Sequence, residues 1–283
     1  MMTKKIGVLG AGSMGGGIAH LAAAKGLEVI LCDVEQRLVD DAINRISSFM
    51  EKSVQKQKMT VEEKEVALKR ITTTVKMDDF ADVDMVIEAI FEDMEVKKSA
   101  FKKLDTICRP EAILGTNTSS MSITTLASAT DRPDKVVGLH FFNPPIIMRL
   151  IEVIRGFYTS DETVKLAFEL AQAMGKTPVE VKKDTPGFIV NRIMMPQFLE
   201  AMRIVEEGVA TVEDVDKAVT LGLNYPMGPF TLMDFTGIDI AVHVSDYFYD
   251  ETKDPKWNPP QNVKALVRAG RLGKKTGAGW YNE

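Results

Sequence analysis

The 283-residue sequence predicts an α/β protein, in which a doubly wound sheet with a long helical insertion is followed by an all-α domain. Two observations lead to this prediction. Up to about Val181, short apolar segments typical of strands alternate with segments of helical periodicity, which implies a parallel sheet covered by helices on both faces. After Val181 only helical periodicity continues. We therefore expect two domains, residues 1–184 and 185–283, joined at a turn containing Pro186 and Gly187.

The first apolar strand runs directly into glycines at the spacing G-x-G-x-x-G, formed by Gly10, Gly12 and Gly15. In loops that hold a dinucleotide pyrophosphate, the first glycine permits the tight turn and the second lets the backbone approach the phosphates. The third lets the next helix pack close to the strand. That helix begins near Ser13 and Met14, and its N-terminal N–H groups can bind an anion. These five residues predict the phosphate loop of a Rossmann-type domain.

The second predicted strand, residues 28–33, ends at Asp33, close to the spacing expected for the residue that binds the adenosine ribose. A carboxylate there can accept hydrogen bonds from both ribose hydroxyl groups, whereas it would repel a 2′-phosphate. Asp33 therefore predicts NAD rather than NADP as the cofactor. The alternative is an ordinary solvated aspartate at the end of a strand.

The remaining elements follow from periodicity and from capping signals. Further strands are expected at residues 71–75, 85–89, 112–116, 136–141, 150–154 and 178–181. A helical insertion at about 35–70 separates the second strand from the third, and Thr60 with Glu63 predicts a capping box for its second helix. The C-terminal domain is expected to contain helices at 188–207, 212–221, 228–249 and 260–269, with Thr211 as an N-cap.

Composition excludes several functional classes. The chain has 45% apolar residues and a net charge of -5, so it can bury a large core but lacks the basic surface of a general nucleic-acid binder. We expect no nucleic-acid partner. No apolar stretch approaches the length of a membrane span. The two cysteines, Cys32 and Cys108, form no C-x-x-C motif, and the three histidines are too scattered to predict a metal site. A cytoplasmic location is the simplest expectation.

Polar residues just after strands are catalytic candidates, because ligands of doubly wound sheets bind at the carboxyl ends of the strands. Ser119 lies in such a run, for which an ordinary hydrogen-bonded turn is the alternative. His140 ends one predicted strand and Glu152 lies within the next, so the two side chains could form a hydrogen-bonded pair. Histidine titrates near neutral pH and could accept the proton released when an alcohol is oxidised. The alternatives are a structural histidine and a structural ion pair.

Several motifs together resemble the 3-hydroxyacyl-CoA dehydrogenase family over essentially the whole chain. The chain is most similar to the short-chain bacterial members that act on 3-hydroxybutyryl-CoA. The resemblance rests on the glycine loop and on five further segments: Glu88-Ala89-Ile90-Phe91-Glu92, Asn117-Thr118-Ser119-Ser120, His140-Phe141-Phe142-Asn143-Pro144, Thr185-Pro186-Gly187-Phe188-Ile189-Val190-Asn191-Arg192 and the ending Gly273-Lys274-Lys275-Thr276-Gly277-Ala278-Gly279-Trp280-Tyr281. It implies NAD-dependent interconversion of (S)-3-hydroxybutyryl-CoA and acetoacetyl-CoA in short-chain fatty acid metabolism.

The resemblance also implies roles for individual residues. His140 would be the general acid/base, held by Glu152, while Ser119 and Asn191 would contact the reacting oxygen. The residues implied along the nicotinamide half of the cofactor are Glu92, Lys97, Ser119 and Asn143. On the insertion, Lys52 and Lys56 would bind the phosphorylated adenosine end of coenzyme A, for which a plain solvated helix face is the alternative.

Two other functional classes remain open. One is a catalytically silent NAD-binding protein, such as the crystallin that resembles this family. The other is a hydroxy-acid dehydrogenase of related architecture, but those enzymes use a lysine on the first interdomain helix. Here that helix begins Gly187-Phe188-Ile189-Val190-Asn191-Arg192 and offers none. The surplus of apolar residues in the helical domain predicts a homodimer or a larger homo-oligomer.

Overall fold

The computed structural model describes residues 3–282. Its contacts divide the chain into two compact units, one ending at Thr185 and the other beginning at Pro186. The first unit contains an eight-stranded sheet flanked by helices, and the second is helical. The predicted fold class, a Rossmann-type sheet followed by helices, is confirmed. No helix within residues 3–282 combines the length and apolar character needed to cross a membrane.

The first half of the sheet alternates strands and helices in the expected order. Its elements are β1 Lys5–Leu9, α1 Ser13–Ala24, β2 Glu28–Cys32, α2 Gln36–Gln55, α3 Val61–Lys69, β3 Ile71–Thr74, β4 Met85–Glu88 and α4 Met94–Ile107. The second half contains β5 Ile113–Thr116, α5 Ile123–Ala127, β6 Val136–Phe141, β7 Leu150–Ile154, α6 Asp161–Ala173 and β8 Thr177–Val181. The strand order is β3-β2-β1-β4-β5-β6-β7-β8, so the chain reverses its winding direction between β3 and β4.

One part of the sheet differs from the prediction of parallel strands throughout. The first six strands are parallel, but β7 pairs antiparallel with β6, and β8 is parallel to β7. Only residues 142–149 separate β6 from β7, and they contain no helix. A parallel connection needs a crossover of about a dozen residues or more, so this short segment forces a hairpin. The hairpin brings the side chains of β6 and β7 directly opposite each other.

Small residues allow α1 to pack against the sheet. Gly15 and Gly16 are buried in its first turns, and a Cβ on Gly15 would overlap the carbonyl oxygen of Gly10. The buried alanines Ala19, Ala22 and Ala23 continue this close approach along the helix. The N-terminus of α1 is therefore held tightly at the carboxyl end of β1.

The insertion forms a helical hairpin of α2 and α3. The capping box is confirmed, because Thr60 Oγ1 accepts from Glu63 N while the Glu63 carboxylate accepts from Thr60 N. Buried residues of α2, including Ile46 and Met50, belong to the core of the first unit. Phe49, which shares the apolar pattern of this helix, is instead 59% exposed.

Within residues 186–282, the second unit has five α-helices around one apolar core. They are α7 Val190–Glu206, α8 Val212–Gly222, α9 Pro229–Thr236, α10 Ile238–Thr252 and α11 Gln261–Arg268. The predicted N-cap Thr211 is confirmed, since its side chain accepts from Asp214 N. The single helix predicted at 228–249 is wrong: Gly237, with a φ of 110°, ends α9 and begins α10. Phe188 also lies outside α7, with a φ of 52°.

Candidate active site

The glycine loop between β1 and α1 forms an open cradle. Gly10 has a φ of 105°, and its N–H donates to the carbonyl of Cys32. Gly12 and Ser13 are exposed, and a Cβ on Gly12 would have no neighbour within 4 Å. Among the described residues, no side chain caps the N-terminus of α1. The first N–H groups of a helix need an outside partner, so this loop has both the space and the donors that a pyrophosphate requires.

Asp33 lies beside this loop at the end of β2. Its Oδ2 accepts from Ala11 N at 2.6 Å, and its Oδ1 accepts from Val34 N at 2.7 Å. These bonds fix the carboxylate against the glycine loop, and each carboxylate oxygen has a second acceptor position. The residue is half-buried, so those positions can receive ribose hydroxyl groups. The observed geometry thus fits an NAD adenosine at this edge of the sheet.

Arg45, which we did not predict, also contacts the glycine loop. It extends from α2, and its Nη2 donates to the carbonyl of Ala11 at 2.8 Å. The guanidinium therefore brings a positive charge to the edge of the phosphate cradle. A single arginine on an amphipathic helix has no local sequence signal, because its position depends on how α2 packs against the sheet.

A buried ionic network lies after β4. Lys97 Nζ contacts Glu88 Oε1 at 2.6 Å and Glu92 Oε2 at 3.2 Å, and the side chains of Lys97 and Glu88 are 1% and 0% exposed. Thr116 Oγ1, at the end of β5, donates to the second oxygen of Glu88 at 2.7 Å. A buried charge is tolerated when it is paired and fully hydrogen-bonded, as it is here. Glu88 was not predicted as a site residue, although it lies in a motif that carried the resemblance.

Glu92 connects this network to the segment containing Ser119. One of its carboxylate oxygens accepts from Thr118 Oγ1 and from Ser119 N, the latter at 3.1 Å. Asn117 ties the same segment to β6, because its Oδ1 accepts from Phe141 N at 2.9 Å. The backbone of Ser119 is therefore anchored to Glu92, and the segment that carries Ser119 is anchored through Asn117 to the strand that carries His140.

His140 and Glu152 are direct partners in the register between β6 and β7. The distance from His140 Nδ1 to Glu152 Oε2 is 2.7 Å, and both residues are buried, with 5% and 0% exposure. When the neutral ring donates from Nδ1 to this carboxylate, its lone pair lies on Nε2. The Phe142 ring lies 4.5 Å from the imidazole, centroid to centroid. This arrangement can hold one ring nitrogen ready to exchange a proton.

The other predicted residues occupy different regions. Asn143 is exposed and follows the strand of His140, whereas Asn191 belongs to the second unit, in the first turn of α7. Lys52 and Lys56 are exposed at the C-terminal end of α2, with Lys56 as its C-cap. Lys52 Nζ lies 5.8 Å from the centre of the Phe49 ring. Cationic and aromatic groups are thus adjacent on this end of the insertion.

Comparison with known proteins assigns the family. The NAD-binding domain of 3-hydroxyacyl-CoA dehydrogenase matches residues 5–185, and the C-terminal domain of the same family matches residues 187–283. A probable 3-hydroxybutyryl-CoA dehydrogenase of Deinococcus radiodurans is 45% identical over 277 residues, covering 98% of this chain and 99% of that protein. The human mitochondrial hydroxyacyl-coenzyme A dehydrogenase is 40% identical over 289 residues, covering 99% of this chain and 91% of that protein.

A solved structure agrees with these sequence matches. The crystal structure of (S)-3-hydroxybutyryl-CoA dehydrogenase from Ralstonia eutropha superposes with a TM-score of 0.96 at 40% identity, and the match covers 99% of each chain. The resemblance inferred from the sequence motifs is therefore confirmed, as is the prediction of NAD as cofactor. The chain belongs to the 3-hydroxyacyl-CoA dehydrogenase family and is an NAD-dependent oxidoreductase.

Proposed function

We propose that the protein interconverts (S)-3-hydroxybutyryl-CoA and acetoacetyl-CoA, with His140 as general acid/base and Glu152 as its orienting partner. The observation that carries the proposal is the buried contact between His140 Nδ1 and Glu152 Oε2 at 2.7 Å. With Nδ1 donating to Glu152, Nε2 is the ring nitrogen that takes the proton from the 3-hydroxyl group. The names of the relatives from Deinococcus radiodurans and Ralstonia eutropha support this substrate.

In this proposal, the side chains of the protein act on the oxygen at C3 of the substrate. When bound, NAD supplies the acceptor or donor of the hydride. In the oxidative direction, His140 Nε2 accepts the hydroxyl proton, and the Glu152 carboxylate stabilises the resulting imidazolium. In the reductive direction, the imidazolium returns that proton. Ser119 and Asn191 donate hydrogen bonds to the oxygen, which stabilises negative charge on it more than the neutral carbonyl.

The remaining site residues bind the two nucleotide-containing ligands. Gly10, Gly12, Ser13, Met14 and Gly15 would hold the NAD pyrophosphate, and Asp33 would hold the adenosine ribose. Glu92, Ser119 and Asn143 would lie along the nicotinamide half. Lys97 would support them through its ion pair with Glu92, since its ammonium is buried beneath that carboxylate. Lys52 and Lys56 would bind the phosphorylated end of coenzyme A, each with a small energetic effect because exposed charges are screened by solvent.

The test is the loss of NADH absorbance when the purified protein meets acetoacetyl-CoA, with NADPH measured in parallel. We expect rapid oxidation of NADH and little of NADPH, because Asp33 would repel a 2′-phosphate. A preference for NADPH would contradict the role of Asp33 but keep the reaction. Binding of NADH without turnover of any 3-oxoacyl-CoA would instead support the catalytically silent alternative.

We also propose that the helical unit forms a homodimer and that the enzyme works in the cytoplasm. A largely apolar groove of about 690 Å³ runs between α7 and α8, and its lining residues Ile193 and Leu223 are 60% and 62% exposed. An exposed apolar groove of this kind favours a protein partner. Light scattering should give twice the chain mass, and Ile193→Ser should weaken the dimer while Val209→Ser, at an exposed position elsewhere, should not. A monomeric wild-type protein would contradict the dimer.

The proposed cytoplasmic location agrees with the cysteines. Both cysteines are free and buried, which suits a reducing compartment.

A further inference from the structure

Within the connection between β6 and β7, the segment of residues 143–149 begins three residues after His140 and carries Asn143. On one side it packs against the cofactor helix. Pro145 is buried there, and a Cβ on Gly17 of α1 would lie only 2.9 Å from Pro145 Cδ. A larger residue at position 17 would displace the segment, so the absence of a side chain permits this contact. The segment therefore rests directly on the helix whose N-terminus forms the phosphate cradle.

On another side the segment is held by one buried ammonium group. Lys176, at the turn between α6 and β8, is 9% exposed, and its Nζ donates to the carbonyl oxygens of Pro145 at 2.6 Å and Met148 at 2.7 Å. Burial and the neighbouring charge of Lys25 lower the pKa of Lys176. Removing an ammonium group from water is costly unless its N–H donors are satisfied. The two hydrogen bonds to backbone carbonyl groups therefore offset part of the cost of burying Lys176.

The two carbonyl groups flank the residues that this segment presents to solvent. Ile146 is 40% exposed, Ile147 is 69% exposed, and the side chain of Met148 also projects from the segment, with 41% exposure. Three consecutive exposed apolar residues are unusual unless they face a ligand or partner. They follow the strand of His140 directly, and an acyl chain is an apolar ligand whose reacting carbon must reach that histidine.

We propose that Lys176 is a positioning residue that holds residues 145–148 in place and thereby sets the acyl-chain selectivity of the enzyme. The proposal rests on the proposed function, because it takes a 3-oxoacyl-CoA as the substrate. Lys176 touches neither substrate nor cofactor in this account. It acts through the backbone of Pro145 and Met148, which orients the exposed side chains of residues 146–148.

The test compares Lys176→Met with Lys176→Arg and with Lys25→Met. Methionine keeps the length of the side chain but loses both hydrogen bonds, arginine keeps a charged donor, and Lys25→Met removes the neighbouring exposed charge without touching the segment. The readout is the ratio of kcat/KM for a four-carbon and a six-carbon 3-oxoacyl-CoA, together with the NADH dissociation constant. We expect Lys176→Met to change the ratio by about tenfold. A tenfold change corresponds to about 1.4 kcal/mol, near the lower end of the free energy of a hydrogen bond to a charged group.

Lys176→Arg should return the ratio to within about threefold of wild type, while Lys25→Met and NADH binding should show no change of that size. Hydrogen exchange of the peptide covering residues 142–150 should be faster in Lys176→Met. An unchanged ratio, or an equal change in Lys25→Met, would overturn the proposal. If the wild-type protein turns over neither substrate, the proposed function fails. The exchange measurement then still decides whether Lys176 holds the segment.

Discussion

Acid should weaken the fold through one buried histidine. His20 lies on α1 with 6% exposure, and burial lowers its pKa to about 4. Its ordinary value of 6.5 applies in the unfolded chain. The folded state therefore keeps His20 neutral while the unfolded state binds a proton as the pH falls below 6.5. The free energy of unfolding is lost progressively between pH 6.5 and pH 4, and the total loss from this residue is about 3 kcal/mol.

By pH 5 the same calculation gives a loss of about 2 kcal/mol relative to pH 7, because the unfolded state is then almost fully protonated and the folded state is still neutral. The assay is urea unfolding followed by far-UV circular dichroism at both pH values, for wild type, His20→Gln and His243→Gln. The decrease from pH 7 to pH 5 should be about 2 kcal/mol smaller in His20→Gln. His243 is exposed, so its variant should behave as wild type. Equal decreases in wild type and His20→Gln would refute the reasoning.

Three further predictions concern the cofactor side of the site. Lys97→Met leaves the fully buried Glu88 without its positively charged partner and should lower the free energy of unfolding by about 3–5 kcal/mol in urea denaturation. Lys98→Met removes only a surface ion pair and should cost less than about 1 kcal/mol. Similar losses in both variants would contradict the buried network. Gly12→Ala should keep the fold but weaken NADH binding in fluorescence titration, since its Cβ would enter the open cradle. Gly15→Ala should lose thermal stability, since its Cβ would overlap the carbonyl oxygen of Gly10. A stable Gly15→Ala protein, or wild-type NADH affinity in Gly12→Ala, would contradict this reading of the loop.

Much of the first unit could be predicted from sequence, because its signals are local. A buried parallel strand is a short apolar run in the sequence. The start of a helix is marked by its own capping residues, as Thr60 marks the start of α3. The reversal of β7 also had a local cause, the short segment at 142–149, but strand direction is a property of a pair of strands rather than of one. The helix break at Gly237 could not be predicted in the same way, because the apolar periodicity continues through the break that its positive φ produces.

The candidate site was less accessible to sequence reasoning. His140 and Glu152 stood out because each is a polar residue within an apolar strand. Arg45 and Lys176 carry no local sequence signal. Only the packing of α2 and of the α6–β8 turn brings them to backbone carbonyl groups of functional loops. Residues that work by holding the backbone leave no chemical pattern in a sequence.

The most direct test of the account is the turnover number of His140→Gln with acetoacetyl-CoA and NADH. Glutamine keeps a polar side chain beside Glu152 but cannot exchange a proton near neutral pH. We predict a decrease in kcat by a factor of about 10²–10⁴, the usual effect of removing a general acid/base, with NADH affinity and thermal stability retained. Near-normal turnover by a folded His140→Gln protein would contradict the central claim that this histidine moves the proton.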